Sequence, residues 1–123
     1  MTTGTEAASE ETASPRRGEV WLARLGAAQD GEPGKNRPVL VVAANGFAPY
    51  RPSDLLPVVP ISASRLPSPS KVPVSGDFLD RESVAVCRAI RGVARSRLLR
   101  PLGELDATSL AGVDRALRRT LAC

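Results

Sequence analysis

Residues 37–44, "RPVLVVAA", decide the fold class. Their apolar side chains run on without the 3.6-residue interruption of a surface helix, and three of them are valine, so the segment reads as a buried strand. Pro38 belongs at its start, because proline has no N–H to give to a ladder. Residues 27–36 (AAQDGEPGKN) are a loop by their glycine and proline content. Arg37 therefore stands at the mouth of a buried strand, a position that asks for a reason.

Outward from that strand, the chain reads as short strands separated by loops. Residues 17–25 (RGEVWLARL) have strand character, with Val20 and Leu22 on one side and Trp21 on the other. Residues 45–54 are a loop. Residues 55–62 (LLPVVPIS) are a third strand whose two prolines imply an edge or a bulge. Residues 63–71, rich in proline and serine, join it to a short strand at 72–74. Residues 83–93 (SVAVCRAIRGV) form the longest strand candidate, 95–98 suit one helical turn, and LLRPLGEL leads into a further short strand. Asp106 is placed as the N-cap of a closing helix, on which Leu110, Val113, Leu117 and Leu121 make one apolar face and Arg115, Arg118 and Arg119 lie off it. Five or six short strands and one helix predict a mainly β fold with added α: a small, mostly antiparallel, barrel-like sheet with a C-terminal helix.

The 123 residues suffice for one domain, and aromatics are only 3%, so Val, Leu, Ile and Ala must build the core. No apolar run approaches eighteen residues and the N-terminus has no secretion-signal pattern, so a cytoplasmic protein is expected. Residues 1–14 hold Glu6, Glu10 and Glu11 and no base, and read as a disordered acidic tail before a domain over 15–123. The remaining 17 basic against 10 acidic residues leave that domain at a net +7, with fifteen arginines among the bases. Such a body suits nucleic acid or an acidic protein segment. The sequence has no histidine and only two cysteines, Cys87 (a small core residue in a strand) and the terminal Cys123. A zinc site and histidine-based acid–base chemistry are thereby excluded, and no metal or cofactor is called for.

No nucleotide-binding or serine-hydrolase motif is present; the loop DGEPGKN is followed by a strand rather than by the helix a phosphate cradle needs. What remains are polar residues at strand ends. Glu32, Lys35, Asn36 and Arg37 close one loop, and Ser62, Ser64 and Arg65 follow VVPI. If 37–44 and 55–61 are antiparallel neighbours, Arg37 and Ser62 share one end of the sheet, where an arginine beside a hydroxyl suits a phosphate. RNA carries its own nucleophile, the 2′-hydroxyl, so a protein without histidine need only orient that attack and stabilise the charge.

Taken in order, RRGEVWLARL, GEPGKNRPVLVV, VVPIS, VPV, ESVAVCRAIRGVARSRL and LGEL…LAGVDRALRRTL resemble the MazF/PemK family of toxin endoribonucleases, from about Arg16 to Leu121. The resemblance implies an SH3-like barrel of the kind shared with the CcdB toxins, a homodimer, metal-independent cleavage of single-stranded RNA, and neutralisation by an antitoxin whose acidic C-terminal segment covers the RNA groove. It implies Arg37 as the catalytic arginine at the scissile phosphate and Glu32 as a loop glutamate of the site. Ser62 takes the place where the family usually has threonine. Arg17, Lys35, Asn36, Ser64, Arg65, Arg88 and Arg91 are the expected RNA contacts. Ala89 stands where members often carry an RNA-contacting glutamine, so base readout differs there. The alternatives are a non-enzymatic CcdB-like poison of a protein such as gyrase, and a degenerate toxin that only binds its antitoxin.

Overall fold

The computed structural model describes residues 14–26, 35–47, 51–63, 68–79 and 82–123. Seven strands occur in order: β1 (Glu19–Arg24), β2 (Asn36–Val41), β3 (Leu55–Ser62), β4 (Lys71–Val74), β5 (Ser83–Val86), β6 (Arg91–Ala94) and β7 (Leu98–Glu104). Single 3-10 turns interrupt them at η1 (Cys87–Ala89) and η2 (Arg95–Arg97), and the helix α1 (Ala107–Leu121) ends the fold. All pairings are antiparallel, and the spatial order is β4-β5-β3-β2-β1-β7, with β6 also on β3. The mainly β, barrel-like expectation holds. Among the described residues β6 and β7 share no ladder, so the barrel is half-open.

Two expectations need correction, and one cause explains both. Residues 83–93 are not one strand, and β3 is not an edge. β3 lies at the centre, bonded to β2 on one flank and to β6 and then β5 on the other. In unbroken register with the Ile61–Ala85 pair, Val58 would face Arg88; it faces Arg91 instead. The three extra residues are looped out as η1. Pro60 falls in the interval where β3 changes partner, which is how a central strand accommodates it. The implied bulge is real, but it belongs to the partner.

Strand alternation sends residues to two cores. On the inner face Trp21, Ala23, Val39, Val41, Leu56, Val58, Val93 and Leu98 pack together. On the opposite, helix-bearing face Val20, Leu40, Val59, Ile61, Val74, Ala85 and Cys87 meet Val113, Ala116 and Leu117 of α1. Both sides of β1 are thus buried. Burial pushes the Cys87 thiol pKa up, consistent with a packing role. The helix is capped by Asp106, whose carboxylate accepts the Ser109 N–H at 2.7 Å. Leu121 departs from the expected apolar face: it is exposed, and Ala116 is buried in its stead.

The segment before β1 locks the layers together. Gly18 adopts φ +93°, which disfavours any side chain. Its N–H donates to Val41 O at 2.9 Å and its carbonyl accepts the Leu105 N–H at 3.0 Å, so one residue joins the end of β2 to the corner before α1. Arg17 adds an ion pair from its Nη2 to Asp114 of the helix.

Gly18→Ala is expected to lower unfolding free energy by about 1–2 kcal/mol through its left-handed backbone, and Leu40→Ala, fully buried, by about 3 kcal/mol through a cavity. Denaturant unfolding with unchanged slope checks both. Arg17→Gln, whose side chain and partner are about a third exposed, should cost less than about 1 kcal/mol.

Candidate functional site

The site is organised by β2. Val39, Leu40 and Val41 pair with Pro60, Val59 and Val58 of β3. Continuing that register by two residues sets Arg37 against Ser62. Both share the parity of Val39, Val41 and Val58, so both belong to the inner face, at the end where the apolar core stops. Arg37 is exposed and Ser62 half-buried. On its other flank Arg37 pairs with Ala23, which is fully buried. A strand paired on both flanks from Val39 to Leu40 therefore carries Arg37 towards its end, on the same face as Ser62 by continued register. That pairing was anticipated from the two strand ends, and the register delivers it.

The other expected contacts separate by position. Lys35 and Asn36 adjoin Arg37 and are exposed, with Lys35 O accepting the Leu25 N–H at 3.2 Å, which closes the β1–β2 hairpin. Asn36 pairs with Arg24 and takes the helix-bearing parity. Arg91 pairs with Val58 and shares the inner face with Arg37, four residues back along β3 from Ser62, about 13 Å. Arg88 is exposed on the looped-out η1, beside the part of β3 where the partner changes. Arg17 stands apart. It lies at the opposite end of β2 from Arg37, its N–H donating to Asn45 Oδ1 at 3.0 Å beside the Gly18–Val41 bond, and its guanidinium is taken by Asp114. Glu32, Ser64 and Arg65 lie outside the described residues.

The sequence reading passed over Arg95. Its guanidinium lies 5.1 Å from the centroid of the Trp21 ring, and its Nη1 donates to Leu98 O at 3.1 Å. Trp21 in turn donates its indole N–H to Glu19 Oε1 at 3.0 Å. Burial draws the Arg95 pKa below the ordinary arginine value. This stack fastens η2 to β1 and so holds β6 and β7 at the two margins of the half-open barrel. No local signal marks it, because the two residues lie far apart in sequence. Chemically, the end of the inner face offers fixed positive charge and a hydroxyl, and among the described residues no group of three or more histidine, cysteine or carboxylate side chains is placed to hold a metal.

The chain resembles known proteins over nearly its whole domain. The pattern of the PemK-like, MazF-like toxins of type II toxin–antitoxin systems matches residues 16–121. Endoribonuclease MazF9 of Mycobacterium tuberculosis is 34% identical over 109 residues, which cover 84% of this chain and 92% of that protein. Among solved structures, a mycobacterial endoribonuclease in complex with its cognate antitoxin superposes with a TM-score of 0.72 at 22% identity, over 89% of this chain and 96% of the other. A MazE–MazF complex from Deinococcus radiodurans gives 0.68 at 26% identity, over 89% and 97%. With a family pattern that spans Arg37, Ser62 and the closing helix, this chain belongs to the PemK-like, MazF-like toxins of type II toxin–antitoxin systems.

Proposed function

We propose that this endoribonuclease toxin cleaves single-stranded RNA by directing the 2′-hydroxyl of a nucleotide onto its own 3′-phosphate. The observation that supports the reading is the β2–β3 register, which, continued two residues past Val39–Pro60, brings Arg37 opposite Ser62 on one face of the sheet. The 2′-oxygen bonds to phosphorus and loses its proton, the bond from phosphorus to the 5′-oxygen breaks, and that oxygen takes up a proton. Arg37 meets the non-bridging oxygens with two parallel N–H donors, and stabilises the charge that gathers there during attack. Ser62 is assigned to orient the same phosphate. Glu32 is assigned as the loop carboxylate that completes the site, with Lys35, Asn36, Ser64, Arg65, Arg88 and Arg91 as further RNA contacts. The part assigned to Arg37 is electrostatic. No step requires a metal.

Partners follow from the same charge distribution. The related MazF of Deinococcus radiodurans has been solved with its MazE. By analogy this chain binds a cognate antitoxin, whose acidic C-terminal segment competes with RNA for the basic body. A homodimer in the cytoplasm is the proposed working form; among the described residues no helix is long and apolar enough to cross a membrane. The toxin domain is assigned to 15–123, with 1–14 as an acidic tail.

Arg37→Ala should reduce RNA cutting by roughly 10²–10³-fold, with unchanged circular dichroism and melting temperature, and the wild type should cut equally in EDTA. Arg37→Lys keeps the charge, loses the paired donors and should recover only part of the rate. Ser62→Thr should retain cutting where Ser62→Ala weakens it. Arg17→Gln should cut as the wild type does, since its position is structural. An RNA pool left intact at high enzyme, or growth arrest that survives Arg37→Ala, would overturn the reading.

A further inference from the structure

The helix-bearing face of the sheet is covered only as far as Val20 and Leu40. One pair further along, Leu22 and Pro38 are half-buried, and beyond them Arg24 and Asn36 pair in the open. On the other flank of β1, Leu22 pairs with Arg100, which places exposed Arg100 on this same face, diagonal to Arg24. Arg97 arrives there from η2, its Nη1 donating to Arg24 O at 3.1 Å. Three arginines from three elements thus gather at the end of the sheet that carries Arg37 on its inner side. Among the described residues none of the four has a carboxylate partner. Asp54, across η2, is engaged through its Oδ2 by the Arg51 N–H. The carboxylates of β1 and β7 sit at the far end, where Glu19 pairs with Glu104 and Asp106 follows.

We infer that Arg24, Arg97 and Arg100 form a track for the sugar–phosphate backbone of RNA flanking the cut, running around the end of the sheet from Arg37. The inference rests on the ribonuclease reading of Arg37. A strand whose scissile phosphate lies at Arg37 has further phosphates on both sides; those on one side run along the inner face towards Arg91, and those on the other leave over this rim. Planar guanidinium groups match phosphate oxygens in pairs. Arginine contacts to phosphate carry no sequence information, so the track adds affinity rather than sequence choice. Arg97 gives one Nη1–H to a backbone carbonyl, which holds its guanidinium at this rim and leaves the remaining donors for an anion.

The test uses full-length protein and 2′-O-methyl RNA, which lacks the nucleophile, in short (about five nucleotides) and long (about fifteen) mixed-sequence forms, within the footprint range of single-strand binders. The wild type should bind the long form with the steeper dependence of log Kd on log salt. In the double variant Arg24→Gln with Arg100→Gln, that slope should fall by about 1.4, at about 0.7 per phosphate contact on a single strand, and the advantage of the long form should disappear. Arg24→Lys with Arg100→Lys should restore both. An unchanged slope in the glutamine variant overturns the track, as does a lysine variant that fails equally with a lowered melting temperature. A glutamine variant that loses affinity for a poly-glutamate peptide but not for RNA assigns the rim to a protein partner and also overturns it. Because binding is read apart from cutting, a lost slope without any RNA cleavage sinks the ribonuclease reading alone, and cleavage with an unchanged slope sinks the track alone.

Discussion

Everything in this fold turns on the two flanks of β3. One flank bonds to β2 throughout Val58–Pro60; the other bonds first to β6 and then to β5. A single strand that satisfies three partners must change neighbour partway, and the chain absorbs the mismatch by looping out three residues as η1. The exchange divides the sheet. Before the exchange Leu56 and Val58 of β3 pack with Val93 in the inner core; after it Ile61 packs with Ala85 in the layer beneath α1, while Ser62 keeps the inner-face parity. Ser62 is where β3 ends, and Arg37 stands opposite because β2 keeps its register. The site is therefore a by-product of the point at which the sheet parts.

That dependence explains what the sequence could and could not disclose. β1, β2, β4, the turn at η2 and the Asp106-capped helix are local features, and their composition or capping chemistry marks them. The split of 83–93 is not local. Ala85, Cys87 and Val93 keep one alternation going across the offset although they pack in different cores, and only the pairing with β3 reveals that Val58 meets Arg91. The prolines of LLPVVPIS gave the right perturbation on the wrong strand for the same reason. Leu121 fits the helical period but lies past the last turn that the sheet covers.

The candidate site was legible in outline. Arg37 and Ser62 could be placed at one end from strand order alone, and the register adds that they share a face. Arg17 shows the limit: its charge is indistinguishable in sequence from that of Arg91, yet Asp114, ninety-seven positions away, claims it. Arg24, Arg97 and Arg100 escaped notice because their gathering depends on the shift in register between β1 and β7 at Leu22. A histidine-free chain has to perform phosphate chemistry with fixed positive charge, and the structure places such charge on both sides of one sheet end, with the carboxylates of β1 and β7 kept at the other.

The central claim is that the protein orients RNA's own nucleophile. The most direct measurement is the chemistry of the new ends after wild-type cleavage in EDTA. Attack by the 2′-hydroxyl leaves a 2′,3′-cyclic phosphate upstream and a 5′-hydroxyl downstream, so the downstream fragments should accept phosphate from a polynucleotide kinase without prior dephosphorylation. Fragments that carry 5′-phosphates and 3′-hydroxyls would show that water was the attacking group, and would contradict the account.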